Sequence, residues 1–134
     1  MNRLSATFAL RLTALAGFLA VALGAFGAHA LRQSLTTRGT LDSWTTGVLY
    51  HLVHVAAMLA VVGLRPFPRW PWVLMLAGVL CFSGSLYLYA LTEIRPLVFV
   101  TPIGGLFLLA GWFSLAFRSV RESNDPGGDA QGRV

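Results

Sequence analysis

Three histidines, His29, His51 and His54, are the side chains of this chain best able to serve a reaction or a ligand. Tyr50 precedes His51, and spacings of three and four residues place His54 on a helical face shared with both. Ser85 and Thr101 add two hydroxyls. An ionisable group inside a membrane is costly and points by default into a bundle or wet cavity. His29, His51, Ser85 and Thr101 would therefore line a shallow polar pocket, with Tyr50 and His54 beside it. The competing expectation is that the tyrosines sit at the interface and the serine and threonine bond their own helices. A neutral imidazole holding a neighbouring helix is the structural role open to each histidine. His29 with either of the others could take the two faces of a haem across helices. The chain has no C-x-x-C-H attachment motif, however, and no acidic residue within an apolar stretch to complete a typical metal site. No cofactor and no metal is expected. Cys81 cannot form an internal disulfide and is expected to pack inertly near mid-span. Asp42 and Glu93 lie in the links, so no Ser-His-Asp set forms within the membrane, and a non-enzymatic protein is expected.

The elements that must position these residues follow from composition. Of 134 residues, 56% are hydrophobic and only 11% charged, and every basic residue is arginine. The net charge of +5 would suit nucleic acid only if the arginines gathered on a solvated face. They punctuate apolar runs instead, so the bilayer is the expected partner and nucleic acid is not. A hydrocarbon core of roughly 30 Å needs about 20 apolar residues in a helix. Four stretches between charged residues qualify: 12–31, 43–64, 70–92 and 96–117. The fold class expected is all-α, an up-down bundle of four transmembrane helices within a domain of residues 1–121. The tail 122–134 has too little apolar surface to fold and is expected to be a disordered cytoplasmic segment. The polar link 32–42 is expected to be a surface loop.

Four spans put both termini on one side. That side holds Arg3, Arg11, Arg65, Arg69, Arg118, Arg121 and Arg133, against Arg32, Arg38 and Arg95 on the other. The positive-inside rule then places both termini in the cytoplasm. Most of the intramembrane polar residues fall in the outer halves, with Thr13, His54 and Ser114 in the inner ones. Trp44, Trp70 and Trp72 lie near span ends, where indole favours the headgroup level. Arg3, Arg11, the following apolar run and Ala28-His29-Ala30 also fit a secretory signal, but that run exceeds the usual 7–15 residues. An uncleaved first span is expected.

Span one carries a small residue at every fourth position, Ala16, Ala20, Gly24 and Ala28, alongside Gly17 and Gly27. In lipid, such a row gains packing energy through close backbone approach. Span four has Gly104 and Gly105 after Thr101-Pro102-Ile103. It either begins near Thr101 after an extended entry, or begins at Pro96 and kinks at Pro102.

Gly24-Ala25-Phe26-Gly27-Ala28-His29-Ala30-Leu31, then Trp44 with Tyr50-His51-Leu52-Val53-His54, then Phe82-Ser83-Gly84-Ser85-Leu86-Tyr87, and finally Thr101-Pro102-Ile103-Gly104-Gly105 with Gly111-Trp112 form one pattern. In order and spacing it resembles the YgdD-type, transmembrane protein 256-like family of small integral membrane proteins, a domain of unknown function. The resemblance spans residues about 12 to 117. It implies a four-span inner-membrane protein and supplies no reaction. Where many members have Tyr-Gln, this chain has Tyr50-His51, which makes His51 a weaker candidate for a shared role than His29 or His54.

Lack of lysine and abundance of arginine, alanine, glycine and leucine point to a bacterial gene of high GC content and to a multi-pass inner-membrane location. The leading expectation for function is a non-enzymatic accessory or assembly partner, such as a member of a larger membrane protein complex. The alternative is a binder or transporter of a lipid, quinone or other amphiphile at the outer polar pocket, and the third choice is haem or metal binding. No motif specifies an oligomeric state.

Overall fold

A computed structural model describes residues 5–118. The expected cytoplasmic tail, 122–134, lies outside the described residues. The described chain is all-helical: α1 (Ala6–Ala28), α2 (Arg32–Arg38), α3 (Leu41–Gly63), α4 (Arg69–Thr92), a 3-10 helix (Arg95–Phe99) and α5 (Val100–Ala116). At 1.5 Å per residue, α1, α3 and α4 each run about 35 Å, enough to cross a hydrocarbon core. The 3-10 helix and α5 together make the fourth apolar span, Arg95–Ala116.

Local chemistry sets the helix ends. Ser5 caps α1, its Oγ accepting from the Phe8 N–H at 3.1 Å. α1 therefore starts six residues before the first expected span and carries Arg11 inside it. A long arginine can lie along the helix and reach the headgroups, so a charge need not end a span. Gly39, at φ +68°, ends α2 in the left-handed conformation that glycine takes without steric cost. α3 stops just before Arg65-Pro66, as proline disfavours helix in the residue before it. Pro71 and Pro102 both fall in first turns, where the missing N–H has no helical partner in any case.

Span four follows neither of the two expected courses. Its entry is a 3-10 helix with Pro96 at its start, running straight into α5. Thr101 does not cap that helix; it lies within the first turn and bonds sideways to α4. The expected loop 32–42 is largely the short helix α2. Its Leu35 is fully buried against Trp44 and Ala90, and Thr40 Oγ1 donates to the Ala90 carbonyl at 2.9 Å. Arg38 reaches the Leu91 carbonyl at 2.8 Å and Glu93 Oε1 at 3.2 Å, placing a cation at the C-terminus of α4.

Packing runs in a row. α3 and α4 form the centre, α1 lies along α3, α5 lies along α4, and α1 and α5 have no substantial contact. One core cluster, at the end where α1 begins and α5 ends, joins Ala9, Met58, Val61, Val62, Trp72 and Met75. The other, at the α2 end, joins Leu35, Trp44 and Ala90.

The α1 seam differs from the expected four-residue row. Ala9, Thr13, Ala20 and Gly27 are buried, while Gly17 faces Val55 and Gly24 faces Val48. These positions mix steps of four and three. A strict step of four overshoots a turn by about 40° each time. Ala16 is half-buried, and by Ala28 the expected row has rotated out into an exposed position. The α4–α5 seam is the closest of all. A Cβ on Gly104 would overlap the Phe82 backbone, one on Gly78 would overlap Leu108, and one on Gly111 would come within 2.8 Å of Met75 Cγ. Gly105 meets only the Phe82 ring, at 3.8 Å.

Candidate functional site

His54 stands on α3 between two hydrogen-bond partners of fixed character. Its Nδ1 lies 2.7 Å from the Tyr50 carbonyl, which can only accept. Its Nε2 lies 3.1 Å from Trp112 Nε1, whose N–H can only donate. The network therefore assigns a neutral imidazole with its hydrogen on Nδ1. Both nitrogens are used, and α3 is tied to α5.

His51, one turn earlier, is tied elsewhere: its Nδ1 lies 3.3 Å from the Tyr87 hydroxyl on α4. The Tyr87 ring also packs on Trp44, centroids 4.9 Å apart. Ser85 donates to the Phe82 carbonyl at 2.9 Å, so the 2.8 Å contact between Ser85 and Thr101 has Thr101 as donor. His29 closes α1 as its C-cap, exposed, and its ring makes no hydrogen bond among the described residues. The pocket expected from His29, His51, Ser85 and Thr101 is thus not assembled. His51 joins α3 to α4, Ser85 with Thr101 joins α4 to α5, and His29 stands apart.

Two further ties were not expected from sequence. Trp72 Nε1 donates to Thr13 Oγ1 at 2.9 Å, and Thr13 passes its own hydrogen to the Ala9 carbonyl at 2.8 Å. Trp44 Nε1 donates to the Leu23 carbonyl at 3.0 Å. Trp44 and Trp72 are 2% and 1% exposed, so both are interior anchors and not headgroup residues; Trp70, at 74%, is exposed as expected. The signal that would have separated them is glycine on the neighbouring helix: a Cβ on Gly27 would overlap the Trp44 indole. Ser83 Oγ is buried without a partner.

What the structure does bring together is a chain of aromatic rings. Phe82 lies 4.4 Å from Tyr50, Tyr50 stacks at 6.0 Å on His54, and His54 meets Trp112 edge-on at 6.2 Å. With Pro102, Gly105 and three leucines of α5 they line a groove of about 420 Å³ between α3 and α5. It runs along α5 from Pro102 to Trp112, about 15 Å at helical rise. Of the expected site residues, only Tyr50 and His54, with Gly105 from the packing set, border it. Among the described residues no group of three His, Cys, Asp or Glu side chains is placed to hold a metal ion.

Four apolar helices joined by short links, with interior polar groups bonded across helices, define a small polytopic membrane protein. Comparison with known proteins narrows this to a family. A family model described as "Protein of unknown function (DUF423)" matches residues 23–105. The chain is 44% identical over 120 residues to the "UPF0382 membrane protein" of Haemophilus influenzae, covering 86% of this chain and 95% of that one. It is 40% identical over 125 residues to the "UPF0382 inner membrane protein YgdD" of Escherichia coli K12, covering 88% and 93%. To the "UPF0382 membrane protein YwdK" of Bacillus subtilis it is 37% identical over 117 residues, covering 82% and 94%. The chain belongs to this DUF423/UPF0382 family, and its place is the bacterial inner membrane. No solved structure matches it.

Proposed function

We propose that this protein is a non-enzymatic partner in the inner membrane, a rigid helical body that accompanies or assembles with another membrane component. The observation that carries this is where the interior polar groups go. His54, Thr13, Trp44, Trp72, Ser85 and Thr101 each commit their hydrogen bonds to another helix or to backbone, and His51 commits its Nδ1 to Tyr87. Among the described residues, none of the Thr13, Ser85 and Thr101 hydroxyls is hydrogen-bonded to a histidine that could act as its base. Both termini face the cytoplasm in this proposal, because that side then holds seven of the ten arginines. The deciding experiment is native mass spectrometry of protein gently extracted from its own membrane, with an absorption spectrum on the same sample. A stoichiometric protein partner is the expected result; a bare chain turning over a substrate would overturn it.

The aromatic groove favours a second reading, the binding of an amphiphile with a flat headgroup between Tyr50 and Trp112. Concave, mostly apolar sites with a few polar groups are where small ligands bind. Gly105→Leu would fill the groove from a position whose Cβ has ordinary room. A short-chain ubiquinone is expected to raise the melting temperature of the wild type and leave Gly105→Leu unmoved; equal shifts in both would exclude the groove.

A further inference from the structure

A second, smaller crevice of about 190 Å³ opens at the α2 end of the molecule, where α1 and α3 part. Gly24, Gly27 and Ala28 form one wall, Trp44 and Val48 the other, and Arg32 and Thr45 supply its polar atoms. Trp44 and Val48 close directly on Gly27 and Gly24, so the crevice is the apolar furrow that runs beside this seam. Thr45 turns its hydroxyl hydrogen to the Leu41 and Asp42 carbonyls at 3.1 Å. Arg32 is therefore the only donor at the slot whose hydrogens are not committed. Its guanidinium makes no hydrogen bond or ion pair among the described residues, whereas Arg38, Arg65 and Arg118 all bond backbone carbonyls. The nearest carboxylate in sequence, Asp42, neither lines the crevice nor lies within ion-pair distance of Arg32. Arg32 opens α2, four residues past the end of α1, which is headgroup depth for a helix that spans the hydrocarbon core.

We propose that this crevice is a phospholipid site. The guanidinium takes the phosphate through two parallel N–H···O bonds, and the first part of one acyl chain lies in the furrow along Ala28, Leu41 and Val48. An arginine above an apolar slot matches a phosphate joined to a hydrocarbon chain and matches neither half alone. This assignment is independent of the function proposed above, since it concerns a different face of the molecule.

The test is native mass spectrometry of the full chain after titration with phosphatidylglycerol, with diacylglycerol of the same chains, and with inorganic phosphate. Wild type, Arg32→Gln and Arg69→Gln are compared; Arg69 is exposed at the opposite end of the membrane span. The wild type is expected to retain one phosphatidylglycerol, Arg32→Gln to lose at least tenfold in occupancy, and Arg69→Gln to match the wild type. Unchanged melting temperature shows that each variant is folded, Arg32 being exposed. Equal retention by Arg32→Gln, retention of diacylglycerol as strong as that of phospholipid, or phosphate binding that excludes the lipid would each overturn the proposal.

Discussion

His54 and Thr13 each carry a polar tie between helices, and each has a tryptophan partner that loses its only side-chain bond if they are removed. Hydrogen bonds between membrane helices average about 0.6 kcal/mol and reach about 1.7. Thr13→Val, which keeps the volume and removes the acceptor for Trp72, is expected to cost about 1 kcal/mol, and Thr13→Ser close to nothing. His54→Ala adds a cavity to a lost bond and is expected to cost about 2–3 kcal/mol. Denaturant titration in mixed micelles checks both; a Thr13→Val protein as stable as the wild type would show that the tie to Trp72 contributes nothing. The sequence made His51 and His54 legible as interior residues of one face. It did not show that they serve different neighbours. Residues three apart differ by about 60° around a helix, and here that angle falls across the boundary between α4 and α5. Trp72 departs from its expected headgroup position for a related reason: nearness to a span end sets depth, while burial is set by the facing helix, which periodicity within one helix does not encode.

At the scale of elements, two adjacent glycines give the sharpest contrast. Gly104→Ala pushes a Cβ into the Phe82 backbone, which cannot yield without moving α5 off α4, and a loss of about 2 kcal/mol or more is expected. Gly105→Ala has ordinary room beside the Phe82 ring and is expected to cost under about 1 kcal/mol. Melting temperatures of the two variants in one detergent decide the matter, and equal losses would mean that the α4–α5 approach is looser than described. Arg38→Gln removes an ion pair whose partners are 42% and 53% exposed; only about 0–1 kcal/mol is expected. The four spanning helices were legible, because charge-free runs of this length have no other membrane solution, whereas the short helix α2 falls where a surface loop was expected. The ends were less so. Arg11 sits within α1, and the 3-10 entry to α5 satisfies Pro96 in a way that neither an extended chain nor a kinked helix anticipates.

For the whole molecule, an even number of spans fixes both termini on the same face, and the arginine count is expected to make that face cytoplasmic. Reporter fusions at each end, one active only in the cytoplasm and one only in the periplasm, should agree; opposite locations for the two ends would contradict the topology. The pairing of helices was not legible at all, since each span shows an apolar surface and none names its neighbour. That pairing has a consequence for biosynthesis. Each span finds its chief partner in the span just before it, so no contact waits for the far ends of the chain to meet. A chain emerging from the insertion machinery can settle one helix at a time, and the halves 1–64 and 65–134, made as separate polypeptides, should reunite through the seam between α3 and α4 and the Thr13–Trp72 and His54–Trp112 ties beside it. Recovery of a heterodimer on co-expression, stable through purification, is the outcome that sequential assembly requires.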